Sequence, residues 1–184
     1  MYRRLNAMMV VLALVGSIGM LHCAGGKELA SARPEWVDRG GGFFLGVYGR
    51  AFHGVGAAGT MPSDDLRVRA ADTQARSDLV GVFRANVQSL VRGCAAATST
   101  SPEIPEQHMQ DAAGALTGME LSDVEIVARW YDPEEGTQYS LAVLDLDMFR
   151  TRVAQLGELE EEVRDAVLAG AEYAFEKLGK DTRR

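Results

Sequence analysis

Apolar residues from Ala71 to Cys94 recur at spacings of three and four: Ala71, Ala75, Leu79, Val82, Phe83, Val87, Leu90, Val91 and Cys94. That spacing puts them on one buried stripe of a long helix running to about Ala95. Pro62-Ser63-Asp64-Asp65 opens it, with Ser63 or Asp64 placed to cap exposed amides and Asp65 near the positive end. Arg69, Asp72, Arg76, Arg84 and Gln88 fall opposite and predict a solvated face. Polar residues around Thr98, Ser99, Thr100, Ser101 and Pro102 mark a loop, and Glu106 to Leu116 predicts a shorter helix.

The pattern then changes period. From Leu121 to Tyr131 residues alternate, with Val124, Ile126, Ala128 and Trp130 on one side and Glu125, Val127, Arg129 and Tyr131 on the other. Asp132-Pro133-Glu134-Glu135-Gly136 is a turn sequence, and Thr137 to Asp147 returns as a second strand. In that strand Tyr139, Leu141 and Val143 face away from Ser140, Ala142, Leu144 and Leu146. A helical stripe closes the chain, with Phe149, Val153, Leu156, Val163, Val167, Ala171, Ala174 and Leu178 on one helix that Asp147 caps. Residues 34–60 read as strand and turn material, with aromatic and branched residues separated by glycines from Phe43 to Gly59. The order β(β)-α-α-β-β-α predicts an α+β fold, a small antiparallel sheet with helices packed on one face.

The first residues have a different pattern. Arg3 and Arg4 precede an apolar run from Ala7 to Leu21, followed by His22, Cys23 and the small residues Ala24, Gly25 and Gly26. This is the arrangement of a secretory signal peptide, and the run is short for a membrane span. The chain divides into a signal peptide (1–22), a small and polar flexible tether (23–33) and one domain (34–180). Met20-Leu21-His22-Cys23 is similar to a bacterial lipobox, in which the cysteine is lipidated and becomes the first mature residue. His22 stands where a small residue is usual, so cleavage near Ala24 without lipid and an uncleaved anchor stay open. Acyl chains at ~0.8 kcal/mol per buried methylene suffice to hold the mature chain on a membrane.

Charge narrows the partners. The formal net charge is −7, and loss of Arg3 and Arg4 with the signal makes the mature chain more acidic. A basic footprint for nucleic acid is missing, as is a second electrostatic grip on anionic lipid. With Cys23 lipidated, Cys94 is the remaining cysteine in an oxidising compartment. It reads as a small hydrophobe on the buried helix face, with an intermolecular disulfide as the alternative.

Candidate chemistry is sparse. Gly54-Val55-Gly56-Ala57-Ala58-Gly59 matches a dinucleotide fingerprint in spacing but lacks its βαβ context. His22, His53 and His108 have no cysteine partners at zinc-ligand spacing, so no metal site and no cofactor is expected. His53 as a general base and Asp145 with Asp147 as a cation pair are the remaining catalytic or metal candidates, with Asp147 more simply a helix cap and Asp145 a partner for arginine or solvent. Ser63, Ser77, Ser89 and Ser140 have no nucleophile-elbow context. No catalytic residue and no enzyme is expected. A ligand or partner surface, if one exists, draws on Phe52, His53, Trp130 and Tyr131.

Four segments together carry a family resemblance: Pro34-Glu35-Trp36-Val37, Ala51-Phe52-His53-Gly54-Val55-Gly56, the helix Ala70 to Leu79, and the hairpin Trp130-Tyr131-Asp132-Pro133 to Tyr139-Ser140-Leu141-Ala142. In order and spacing the chain resembles the Lpp-twenty family of small bacterial lipoproteins, from Pro34 to about Lys177. The resemblance implies an envelope-located α+β domain with no established catalytic residues. The expected function is that of a non-enzymatic, lipid-anchored envelope protein contacting a protein partner or its own copies. The absence of aspartate after Cys23 points by analogy to the outer membrane, facing the periplasm. A periplasmic small-ligand-binding domain, using Phe43 to Phe52 with Trp130 or Tyr131, is the second expectation, and an envelope hydrolase the third.

Overall fold

The computed structural model describes residues 32–97, 105–122 and 124–181. The signal peptide, Cys23, the tether up to residue 31 and the loop around Pro102 lie outside the described residues. From Ala32 onward the chain clusters as one unit.

The fold is α+β. A short helix α1 (Glu35–Arg39) leads into strands β1 (Gly42–Gly46) and β2 (Gly49–Ala58). Next come the long helix α2 (Asp64–Ala97), α3 (Glu106–Gly118), and strands β3 (Ile126–Asp132) and β4 (Thr137–Leu144). Helices α4 (Leu146–Ala154) and α5 (Glu161–Asp181) complete the chain. The four strands are antiparallel in the order β1-β2-β4-β3, so the two hairpins meet along β2 and β4.

The α2 stripe is buried as the periodicity predicts, from Ala71 through Leu79, Phe83, Val87 and Leu90 to Cys94. Ser63 is the cap, its hydroxyl accepting the Leu66 amide at 3.2 Å. What the stripe packs on is decided by β2. A Cβ at Gly54 would collide with the Ala75 carbonyl and the Leu79 amide, and one at Gly56 with the Ala71 carbonyl and the Ala75 amide. Two glycines on the inner face of the strand, opposite two alanines on the helix, let α2 lie directly on the sheet backbone. This close approach, and no phosphate, accounts for the glycine spacing.

Five phenylalanines fill the space between the sheet, α2, α4 and α5. Phe52 is at their centre, with ring centroids 4.6 Å from Phe43, 5.2 Å from Phe83 and 5.5 Å from Phe175. Phe149 lies 5.4 Å from Phe175 and completes the set.

The structure departs from the periodic reading in four places. Residues Glu35–Arg39 are a helical turn, where strand or turn was expected. The register of β3 shifts between Ile126 and Ala128: Ile126 pairs with Ala142, and Ala128 with Leu141. This bulge at Val127 moves Ile126 to the opposite face from Ala128 and Trp130. The final helix is two helices, broken between Ala154 and Glu161 around Gly157. Finally, Asp145 caps α4 by accepting the Met148 amide at 2.8 Å, while Asp147 points to solvent. The roles expected of these two aspartates are reversed, because the strand ends at Leu144 and Asp145 is the first residue with extended backbone before the helix.

Candidate functional site

The four helices α2 to α5 occupy the inner side of the sheet, and its outer side is built from different chemistry. Ala51, Leu141 and Val143 form a second apolar cluster there, extended by Val55, Val127 and Ala128 and covered by Trp36. The segment from Arg33 to Arg39 therefore crosses the sheet as a strap, fastened at both ends. At one end the Arg33 guanidinium donates to Asp132 (3.0 Å) and lies over the Trp130 and Tyr139 rings, while a second bond, to Asp38 (2.7 Å), closes within the strap itself. At the other, Arg39 sits 4.7 Å over Phe44, which stacks on His53 with centroids 4.0 Å apart and planes within 8°. Arg33, expected as the last residue of a flexible tether, is instead a fixed point of the domain.

Asp132 is positioned at the strap by the turn it begins. Its Oδ1 accepts the Glu134 and Glu135 amides, and Gly136 takes a φ of 64° to close the hairpin. That leaves Oδ2 for Arg33.

His53 is buried under this stack, 2% exposed. Its Nδ1 donates to the Ala51 carbonyl at 3.0 Å, which fixes the proton on that nitrogen. Burial lowers its pKa against smaller opposing effects of backbone hydrogen bonds, so the ring is held neutral. A buried, stacked, hydrogen-bonded imidazole is positioned as a structural part of the outer face. With Asp145 engaged as a cap, the two best catalytic candidates are each committed to holding the fold.

The residues nominated for a contact surface are not brought together. Phe52 is fully buried in the inner core and belongs to no surface. Trp130 lies on the outer face, half-buried under Arg33. Tyr131, its neighbour along β3, points to the inner side, where the Arg67 guanidinium is 4.6 Å above its ring. Of the segment Phe43 to Phe52 expected to join Trp130 or Tyr131 in a ligand surface, Phe43 and Phe52 are buried in the inner core, while Phe44 lies on the outer face with Trp130.

Exposed apolar side chains gather in the middle of the segment Phe43 to Phe52 rather than at its buried ends. The loop joining β1 and β2 is Val47-Tyr48, between the paired glycines Gly46 and Gly49. Val47 is 98% exposed, Leu45 57% and Tyr48 41%. This tip stands at the end of an edge strand. Because β2 and β4 are antiparallel, it is also at the opposite end of the sheet from the β3–β4 turn where Arg33 enters. The signal in the sequence is an apolar run continuing through a two-residue turn, where polar residues are usual.

Asp72 is a further residue whose place differs from the expected solvated face. It is 8% exposed and accepts both Nε and Nη2 of Arg129, at 2.9 and 2.7 Å, together with the Ser140 hydroxyl at 2.7 Å. Burial pushes its pKa up, but the Arg129 and Ser140 bonds, with Arg76 nearby, outweigh that and hold the carboxyl below its ordinary value. Cys94 is buried as expected, its thiol near the Val167 carbonyl and its pKa pushed up to about 12 by burial. Among the described residues no group of three or more histidine, cysteine, aspartate or glutamate side chains is placed to hold a metal ion, and no helix is long and apolar enough to cross a membrane. Comparison of the chain with protein-family models and with curated proteins finds no match to either.

Proposed function

We propose that this is a lipid-anchored cell-envelope protein without catalytic activity, joined to the membrane through Cys23 and acting by contact with another envelope protein or a second copy of itself. The order of basic residues, apolar run and cysteine from Arg3 to Cys23 supports the anchor. So does the resemblance to the Lpp-twenty family, which also favours the outer membrane, facing the periplasm. The contact role rests on one observation, the apolar tip Leu45, Val47 and Tyr48 on an edge strand. Exposed apolar groups of this size at a strand edge are suited to an incoming partner. The tip lies at the opposite end of the sheet from the turn that Arg33 contacts.

Two measurements test the reading. Intact mass of the membrane-extracted protein should show a diacylglyceryl or triacyl adduct on the mature chain that a Cys23→Ala variant lacks. A delipidated or uncleaved mass would remove the anchor. A photo-crosslinking residue at Val47 should capture one discrete partner or a dimer in intact cells, whereas the same residue at exposed Glu172 should not. Equal crosslinking at both positions would remove the contact role.

A further inference from the structure

A second feature lies on the inner side, away from both the strap and the hairpin tip. Between α2 and the turn from Gly118 to Ser122 there is an open cleft of about 330 Å³, at the lower end of the range for small-molecule sites. Its floor is apolar: Met119 and Leu121 are 5% and 2% exposed, and Val80 lines the helix side. Its walls hold two arginines from α2, Arg76 and Arg84.

Both guanidinium groups are oriented by the loop they face. Arg76 Nε donates to the Val124 carbonyl at 2.9 Å, and Arg84 Nε to the Thr117 carbonyl at 3.1 Å. Fastening Nε fixes the plane of each guanidinium and leaves the two Nη groups, the bidentate edge that matches a carboxylate. Arg33, Arg39, Arg67, Arg69, Arg129 and Arg150 all have carboxylate partners. Among the described residues Arg76 and Arg84 form no ion pair. Among the described residues that line the cleft the carboxylate is Glu120, whose Oε1 accepts the Ser122 amide at 3.1 Å. Two oriented guanidinium groups set over an apolar floor, Arg84 and an Arg76 that shares only the longer-range field of Asp72, define a complementary ligand.

We infer that this cleft binds a small carboxylate carried on a short apolar body, with Arg76 and Arg84 taking the carboxylate and Val80, Met119 and Leu121 the apolar part. Either an aliphatic acid or the carboxyl end of a short peptide presents that chemistry. The site does not depend on the lipid anchor or on the hairpin tip.

The purified full chain should be titrated by calorimetry and by amide chemical shifts with hexanoate, hexanamide and hexylammonium, which share one apolar body. Charge-assisted pairing with two arginines should favour hexanoate over the other two by about tenfold or more, with shifts centred on Val80 and Leu121. Arg84→Gln should weaken hexanoate by about tenfold while leaving hexanamide unchanged. Val80→Trp should fill the cleft and abolish binding of all three. Circular dichroism establishes that each variant is folded, and Arg84→Gln, on an exposed residue, is chosen to spare the core. N-acetyl-leucyl-alanine, compared with hexanoate, identifies which source of carboxylate fits better. Equal affinity for hexanoate and hexanamide, an unaltered Arg84→Gln variant, shifts located elsewhere, or no binding at tens of millimolar would each overturn the inference.

Discussion

Replacing Asp72 with asparagine removes a charge from an almost closed site while leaving its shape. In the native protein the carboxylate accepts three hydrogen bonds, two from Arg129 and one from Ser140. Hydrogen bonds to charged groups contribute roughly 1.5–3 kcal/mol each before competition with water. Arg129 is 47% exposed, so its share is screened, and the bonds of one carboxylate are not additive. The amide side chain retains one acceptor oxygen, so the expected loss is about 2 kcal/mol for Asp72→Asn. For Asp72→Ala it is about 3 kcal/mol, because the buried Ser140 hydroxyl then loses its acceptor. In a domain of this size 2 kcal/mol lowers Tm by roughly 4–8 °C.

The assay is urea unfolding at several pH values. Asp72 has a lowered folded pKa, so its contribution is complete above the ordinary value of 3.8 and disappears as pH falls through the lower folded value. Wild type and Asp72→Asn should therefore differ at pH 7 and converge in strong acid. A double-mutant cycle with Arg129→Leu should show coupling of about 1–2 kcal/mol. If Asp72→Asn matches wild type within about 0.5 kcal/mol at pH 7, or the two substitutions simply add, the buried pair does not stabilise the fold in the way the geometry requires.

Other substitutions separate neighbouring residues that look alike in sequence. Gly54→Ala should cost more than about 3 kcal/mol or prevent folding, since the new methyl meets helix backbone, whereas Gly81→Ala, facing open space on α2, should stabilise by about 0.5–1 kcal/mol. Thermal melts of the two variants check this, and equal effects would refute the close approach. Asp145→Ala should lose about 1 kcal/mol of cap energy and Asp147→Ala almost none, again by denaturant titration. His53 has a lowered folded pKa, so the unfolded chain takes up its proton first and stability falls as pH drops below about 6.5. His53→Gln should flatten the stability profile between pH 7 and pH 5, and an unchanged slope would show that His53 is not its source.

The hairpin of β3 and β4 was legible because a turn sequence sits between two alternating runs, and pairing of Asp132 with Thr137 follows from it. The α2 stripe was legible for the same reason at a different period. The bulge at Val127 was not, since an inserted residue leaves both halves of a strand alternating and changes only their phase. Asp72 is hard to place because its charge argues for solvent while its position argues otherwise. It lies three residues before Ala75 and seven before Leu79, on the border of the buried stripe, and its partner Arg129 is far away in sequence. The α4–α5 break has a local sign in Gly157, but Leu156 and Val163 keep the helical spacing across it and mask the interruption. The strap was illegible in principle, as Trp36 and Arg33 find their partners only once β2, β3 and β4 are assembled.

The strap also determines how the protein responds to load. A pull on the chain before Arg33 does not reach the four-stranded sheet first. It acts at the Arg33 contact with Asp132, then on Trp36 over Ala51, Leu141 and Val143, and on Arg39 over Phe44. Apart from the Arg33–Asp38 pair, which closes the segment on itself, these contacts tie the segment to the turn of β3 and β4, to the outer face and to β1. The segment Arg33–Arg39 therefore takes up a load on the chain before it ahead of the ladder hydrogen bonds of the sheet.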